Sequence, residues 1–177
     1  FWLSIWDSQG LESPDTPYVA LMDVQMPNTT WFPQVRVNYA QRVFSHAARA
    51  DAAGMPAMIA QNEQGEVRRY TWAQLQREVA ALACTLREQG VGKGDCVAAY
   101  LPNIPEAVVA FLACASLGAI WSICAPDMGS RAVLDRFQQI RPKVLIGVDG
   151  VYYAGKGQDR SEALQTLISE LPSLSAA

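Results

Sequence analysis

Residues 96–124 read CVAAYLPNIPEAVVAFLACASLGAIWSIC, and this stretch decides the fold. Two short apolar runs, Cys96–Leu101 and Ala119–Cys124, enclose a segment, Pro105–Leu117, that is long enough for a helix and apolar on most sides. Strands that are apolar along their whole length are typical of parallel sheets, in which helices cover both faces. The stretch therefore predicts a β-α-β unit with parallel strands.

The same alternation continues toward the carboxyl end of the chain. Arg131–Ile140 is predicted to form a helix, Lys143–Val148 a strand, and Ser161–Leu171 a further helix that Pro172 ends. The predicted fold class is therefore α/β, a mostly parallel sheet with helices on both faces.

Toward the amino end, the pattern predicts a helix and a hairpin. Thr71 and Gln74 form a capping box at the start of an amphipathic helix that ends at Gly90. Before it, Ala57–Ala60 and Val67–Tyr70 flank a polar linker with a glycine, which predicts a β-hairpin.

The first third of the chain is less regular. Residues 1–37 are rich in aromatic residues and prolines and lack a sustained period, so we expect an irregular arm there. A helix is predicted from Asn38, which caps its free amides, to Gly54. The predicted division is an arm, 1–37, and an α/β portion, 38–177.

Composition excludes several function classes. The formal net charge of −3 and the 18% of charged residues give no basic field for nucleic acid or an anionic membrane. The four cysteines are spaced unevenly among apolar residues, which favours buried thiols in a reducing compartment over a metal site. His46 is the single histidine, so neither a zinc cluster nor a Ser-His-Asp set is expected, and we predict no catalytic residue and no metal ligand.

The two ends of the sequence suggest a piece of a longer polypeptide. The chain starts with Phe1 instead of methionine and ends in an unremarkable Leu-Ser-Ala-Ala, so we expect both ends to be cuts. No run approaches the ~18 apolar residues of a membrane span, and the start lacks the basic segment of a signal peptide. We expect a cytoplasmic protein.

In open α/β sheets, ligands bind outside the carboxyl ends of the strands, which nominates the loops 102–104, 125–129 and 149–157. In the first, Asn103 and Glu106 match a capping box, so helix initiation is favoured over a role in a cleft. In the second, Asp127 fits a ligand contact and an ordinary turn equally well.

The third loop contains a partial phosphate-binding motif. Residues 150–156 match the first seven positions of G-x-x-x-x-G-K-[ST], but Gly157 stands where the motif needs a hydroxyl. The next helix is also predicted to start too late for its amides to face a phosphate. A nucleotide triphosphate loop is therefore disfavoured, although Lys156 can meet a phosphate as a point charge. A second glycine-rich segment, Gly90–Asp95, precedes a strand and is interpreted as a helix cap and a turn.

One long segment resembles a known family. Residues 100–122, YLPNIPEAVVAFLACASLGAIWS, are similar to the acyl-CoA synthetases of the adenylate-forming superfamily. Trp31-Phe32-Pro33, with Asn38-Tyr39-Ala40 after it, resembles the amino-terminal region of acetyl-, propionyl- and acetoacetyl-CoA synthetases. Ala125-Pro126-Asp127-Met128-Gly129 is most similar to the acetoacetyl-CoA synthetase branch, although Ala125 and Met128 depart from that branch's usual Ser and Phe.

The resemblance implies a two-step ligase. A carboxylate, acetoacetate in this branch, would attack ATP to give an acyl-adenylate, and CoA would then displace AMP, with Mg²⁺ as the metal of the whole enzyme. Related enzymes hold CoA phosphates with basic residues in a segment resembling 152–156, where Tyr153 replaces one arginine and Lys156 the other. Lys156 is thus the implied CoA-phosphate residue.

The resemblance also implies what this chain lacks. The family's pyrophosphate loop and catalytic lysine lie beyond a point equivalent to Ala177, so residues 38–177 would be an incomplete part of the large amino-terminal domain. By itself the chain is expected to be inactive and to hold no ligand tightly. Two alternatives stay open: an acetyl- or propionyl-CoA synthetase, and a non-catalytic binding module that retains this sheet.

Overall fold

A computed structural model describes residues 1–11, 19–22, 25, 27–33 and 35–177. Its centre is a three-stranded parallel sheet built from β5 (Cys96–Tyr100), β6 (Ile120–Cys124) and β7 (Val144–Gly147), in the order β6-β5-β7. The register places Val97 opposite Trp121 on one side and opposite Val144 on the other. The parallel arrangement confirms the prediction made from residues 96–124.

Helices cover both faces of this sheet. On one face, α4 (Trp72–Glu88) and α5 (Pro105–Leu117) pack against alternate side chains of the strands, such as Val97 and Val144. On the other face, α6 (Ser130–Ile140) and α7 (Ser161–Glu170) pack against Ala98, Tyr100 and Leu145. The predicted fold class, α/β with helices on both faces, is confirmed.

The capping signal of α4 is partly realised. The Thr71 hydroxyl accepts a hydrogen bond from the backbone N–H of Gln74 at 3.1 Å, as a capping residue should. The Gln74 side chain does not return to Thr71, because it donates to Glu78 at 2.9 Å. The predicted hairpin before this helix is confirmed as β3 (Met58–Gln61) and β4 (Val67–Tyr70).

The predicted single helix from Asn38 to Gly54 is wrong, because the segment forms two helices, α2 (Tyr39–Phe44) and α3 (Ala47–Ala52). Asn38 does cap α2, since its side chain accepts from the N–H of Gln41 at 3.1 Å. The break falls at Ser45, whose hydroxyl donates to the carbonyl of Arg42 at 2.8 Å. Such local side-chain bonds compete with the helical ladder.

The aromatic-rich arm contains regular structure that the sequence did not predict. Residues Trp2–Gln9 form α1, and the two-residue strands β1 (Leu21–Met22) and β2 (Thr30–Trp31) pair antiparallel. The helix is held by tertiary ring contacts, with Trp2 against Trp31 at 5.6 Å and Trp6 against Phe32 at 5.2 Å between centroids. The prediction of an irregular arm is therefore wrong for these described parts, and its other residues, 12–18, 23, 24, 26 and 34, lie outside the described residues. The division into an arm and an α/β portion stays a prediction.

Candidate functional site

The carboxyl ends of the three parallel strands lie at one edge of the sheet, and this edge is the candidate site. The strands end there at Tyr100, Cys124 and Gly147. The chain segments that follow them are the three that the sequence nominated, so their predicted placement at a common edge agrees with the sheet topology.

Tyr100, the last residue of β5, contacts the segment that follows β6. It is buried, and its hydroxyl donates to the carbonyl of Pro126 at 2.9 Å. Burial raises the pKa of the Tyr100 phenol, and the positive charge of Arg160 opposes that effect only in part. The phenol therefore stays protonated and acts as a donor that fixes the segment after β6 to the end of β5.

The segment after β6 is a turn. The N–H of Met128 donates to the carbonyl of Ala125 at 3.1 Å, and the Asp127 side chain is exposed. This geometry agrees with the interpretation of Asp127 as a turn residue. That its exposed carboxylate contacts a ligand stays a prediction.

Asn103 does not cap α5. The helix begins at Pro105, its capping residue is Ile104, and Asn103 is exposed. The predicted capping box is wrong because proline prefers the first helical position and keeps the residue before it extended, which shifts the start by one residue. Glu106 instead forms an ion pair with Arg68 at 2.7 Å.

The third segment is a β-hairpin, and its prediction as a loop is wrong. Strands β8 (Gly150–Tyr153) and β9 (Lys156–Asp159) pair antiparallel across a two-residue turn. Ala154 and Gly155 both have positive φ, 52° and 76°, as the favoured two-residue hairpin turn requires. The partial phosphate-loop motif therefore lies on two strands, and its amides do not open a helix.

Lys156 is exposed at the tip of this hairpin, paired in register with Tyr153. No carboxylate within the described ranges forms an ion pair with its ammonium group. Beside it, the N–H of Gly155 donates to the Glu63 carboxylate, in the turn of the β3–β4 hairpin, at 3.3 Å. The predicted phosphate contact at Lys156 remains a prediction, and its charge is free to meet an anion.

Sequence reasoning missed Arg160, which stands between β9 and α7. Its backbone N–H donates to the carbonyl of Asp149 at 2.6 Å, and its side chain lies near enough to Tyr100 to lower that phenol's pKa. Its Nε atom is buried without a hydrogen-bond partner. The sequence feature that could have indicated Arg160 is its position as a cation between a strand and a helix at the carboxyl edge of the sheet.

The glycine-rich segment before β5 is structural, as predicted. The N–H of Gly92 donates to the Asp95 carboxylate at 2.8 Å, and the Lys143 ammonium lies 3.3 Å from it. These two contacts hold the pKa of Asp95 below its ordinary value. The segment therefore closes a turn at the amino ends of the strands, away from the candidate site.

The cysteines and His46 contribute no reactive group to the site. Burial raises the pKa of Cys114 to about 12 and also raises that of Cys124, so both stay as thiols. The prediction that all four cysteines are buried holds for Cys114 and Cys124 but is wrong for Cys84, which is exposed on α4, and Cys96 is only partly buried. His46 is exposed at the start of α3 and lines a cavity of about 190 Å³ beside α1 and α2, apart from the three segments.

Among the residues that the structure describes, no group of three or more His, Cys, Asp or Glu side chains is placed to hold a metal ion. In the same residues, no helix has the length and apolar character needed to cross a bilayer.

Comparisons with known proteins agree on one family. A profile of the AMP-binding enzymes matches residues 44–176. The chain is 37% identical to the acetoacetyl-coenzyme A synthetase of Rhizobium meliloti (strain 1021) over 171 residues, which are 97% of this chain and 26% of that protein. It is 39% identical to the acetoacetyl-CoA synthetase of Macaca fascicularis over 181 residues, or 98% of this chain and 26% of the relative.

A solved structure supports the same family. The acetoacetyl-CoA synthetase from Streptomyces lividans superposes with a TM-score of 0.94 at 44% identity and covers 99% of this chain. The match covers 27% of that enzyme, so the chain spans about a quarter of the length of the relatives it matches. Sequence profile and fold together show that this chain belongs to the family of AMP-binding enzymes.

Proposed function

We propose that this chain is part of an acetoacetate–CoA ligase, which forms acetoacetyl-CoA from acetoacetate, ATP and CoA. The observation that carries the proposal is the similarity to acetoacetyl-CoA synthetases over 97% to 99% of the chain. The carboxylate attacks the α-phosphate of ATP and releases pyrophosphate, and the CoA thiol then displaces AMP from the acyl-adenylate. A cytoplasmic location belongs to the proposal, since four free cysteines suit a reducing compartment.

The 177-residue chain by itself is proposed to be inactive. Phosphoryl chemistry on ATP depends on positioning and on several positive groups around the phosphates. At the carboxyl edge of the sheet, the cations of the described residues include the exposed Lys156 and the half-buried Arg160, while Arg131 and Arg68 form ion pairs with Asp135 and Glu106. We therefore assign the ATP phosphates and Mg²⁺ to the part of the enzyme that this chain does not include.

The acid specificity is tested with the longer enzyme that contains this chain. Formation of a CoA thioester should be fastest with acetoacetate and slower with acetate and propionate. A preference for acetate or propionate would replace the proposal with a neighbouring short-chain acyl-CoA synthetase. Absence of thioester with all three acids would favour a non-catalytic binding module.

Lys156 is proposed to bind a phosphate of CoA. The support is its exposed ammonium group, with which no carboxylate of the described residues forms an ion pair, on a hairpin beside the carboxyl ends of the strands. In the longer enzyme, Lys156→Ala should raise the KM for CoA by about 3- to 10-fold, because an exposed charge contact contributes on the order of 1 kcal/mol. The KM for acetoacetate should not change.

The matched control is Lys93→Ala. Lys93 is also exposed, but it precedes β5 and so lies toward the amino ends of the strands. Its substitution should leave the KM for CoA unchanged. An equal effect of both substitutions, or none for Lys156, would contradict the assigned contact.

A further inference from the structure

A cavity of about 190 Å³ lies between the end of α1 and the segment that runs from α2 into α3. The side chain of Asn38, in its wall, donates to the carbonyls of Ala115 and Ser116 near the end of α5, just before β6 begins. The cavity therefore lies toward the amino ends of the parallel strands. Its described walls share no residue with the three segments of the candidate site.

The Arg42 side chain in this cavity is held in place but is not neutralised. Its Nη2 atom donates to the side chain of Gln9, the last residue of α1, at 3.2 Å, and its Nη1 atom donates to the Ser45 hydroxyl at 3.4 Å. A guanidinium has five N–H donors, so three remain for another acceptor. No carboxylate in the described ranges forms an ion pair with Arg42, and the described residues that line the cavity include no acid.

The side chains of Gln41 and His46 add further donors to the cavity. Neither the Gln41 amide nor the His46 imidazole forms a hydrogen bond with another described residue. An amide offers two N–H donors, and an imidazole offers one when neutral and two, with a positive charge, when protonated. The cavity is far larger than the roughly 10–15 Å³ that a single water needs, so it has room for a polyatomic ligand.

A fixed cation with free N–H donors around an open cavity is the chemistry that binds an oxyanion. A carboxylate brings two acceptor oxygens to such a site, whereas a phosphate brings at least three, which suits donors that come from three side chains. We propose that this cavity binds inorganic phosphate through Arg42, Gln41 and His46, and that the bound anion joins the end of α1 to α2 and α3. The inference goes beyond the proposed ligase activity and does not depend on it.

The imidazole of His46 provides a direct test, because it is the only histidine of the chain and its ring protons give unambiguous NMR signals. The 177-residue chain is titrated with inorganic phosphate near pH 6, where imidazoles are partly protonated, with chloride keeping the ionic strength constant. The His46 signals should shift and the shift should saturate, with a Kd on the order of millimolar. A shift that does not saturate, or an equal response to acetate, would overturn the proposal.

Two matched substitutions sharpen the test. Arg42→Gln should weaken phosphate binding about 10-fold or more, because it removes the fixed charge and its free donors. Arg49→Gln makes the same change of charge at an exposed residue of α3 outside the cavity lining, and it should leave the Kd within about twofold. Equal Kd values for the two variants would overturn the proposal.

Thermal unfolding gives a measurement that does not need the NMR signal. Phosphate should raise the melting temperature of the parent chain, because a ligand that binds only the folded state stabilises it. The rise should persist in Arg49→Gln and should be largely lost in His46→Gln. A rise that is the same in all three proteins would place the phosphate elsewhere and overturn the proposal.

Discussion

The two edges of the central sheet are treated differently. At the β7 edge the chain covers itself: the N–H of Leu145 donates to Ala176 at 3.1 Å, and the N–H of Ser175 donates to Lys143 at 2.8 Å. Leu167 of α7 packs beside that edge and is fully buried. At the β6 edge, Ile120 and Ile123 stay exposed. The chain thus covers the β7 edge with its own contacts, whereas the described residues leave the outer edge of β6 uncovered.

The largest expected effect comes from the covered side. Leu167→Ala should lower the free energy of unfolding of the chain by about 2–5 kcal/mol, because it opens a cavity between α7 and the sheet. Denaturant unfolding measures the change. The control is Ile168→Ala, one residue further on the same helix and 43% exposed, with an expected loss below about 1 kcal/mol. Equal losses of stability in the two variants would show that α7 is no better packed against the sheet than against solvent.

The backbone cover of β7 is expected to contribute less. Ser175→Pro removes the N–H that donates to Lys143 and should lower the free energy of unfolding by about 1–2 kcal/mol. Ala177→Pro, two residues later, serves as a control with a similar change in composition. If both variants unfold at the same denaturant concentration as the parent chain, the carboxyl-terminal segment does not stabilise that edge.

The central layers could be predicted from sequence because their signals are local and consistent. For β5, α5, β6, α6 and β7, apolar runs, Pro105 and the glycine after α5 all indicate the same boundaries, and the structure matches them to within a residue or so. The carboxyl edge followed from strand direction alone. Strand order was not encoded in any local pattern, so the open edge of β6 could not be foreseen.

Other features depended on contacts between distant residues. Helix α1 rests on ring contacts between Trp2 and Trp31, which no periodicity shows. The β8–β9 hairpin was not predicted, because residues 150–156 match most of a phosphate-loop motif and were interpreted as a loop. The turn signal was the glycine at position 155. Arg160 was missed because its significance comes from its proximity to Tyr100, 60 positions away in the sequence.

A smaller effect is expected at the strand between the two edges. Tyr100→Phe deletes the hydroxyl that holds the turn after β6 and should lower the free energy of unfolding by about 0.5–1.5 kcal/mol. Thermal unfolding measures the loss. In the longer enzyme, the KM for acetoacetate or for CoA should rise more than kcat falls, since the turn lies at the candidate site. If neither of these two KM values changes, Tyr100 stabilises the fold without contributing to the site.

The smallest effect is expected at the Arg68–Glu106 ion pair, which is half exposed and therefore screened. Burial raises the pKa of Glu106, but the hydrogen bond from Arg68, a backbone hydrogen bond and the charge of Arg68 together outweigh burial and lower the pKa below its ordinary value. The ionised carboxylate is thus favoured by folding. Its stabilisation is present above the ordinary glutamate pKa of about 4.3 and is lost as the pH falls through the lowered value.

Glu106→Gln should therefore cost less than about 1 kcal/mol near neutral pH and nothing once the pH has fallen below the lowered pKa of Glu106. Denaturant unfolding of both proteins across that range measures the difference, and added salt should reduce it. A difference that stays constant from neutral to acid pH would show that the substitution acts through packing instead of charge.

The measurement that tests the central claim most directly is acetoacetate-dependent exchange of labelled pyrophosphate into ATP. It follows the first chemical step without requiring CoA, so it is insensitive to the assignment of Lys156. The longer enzyme that contains this chain should catalyse exchange with acetoacetate more strongly than with acetate or propionate, and the 177-residue chain should catalyse none. Absence of acetoacetate-dependent exchange by the longer enzyme would contradict the proposed ligase.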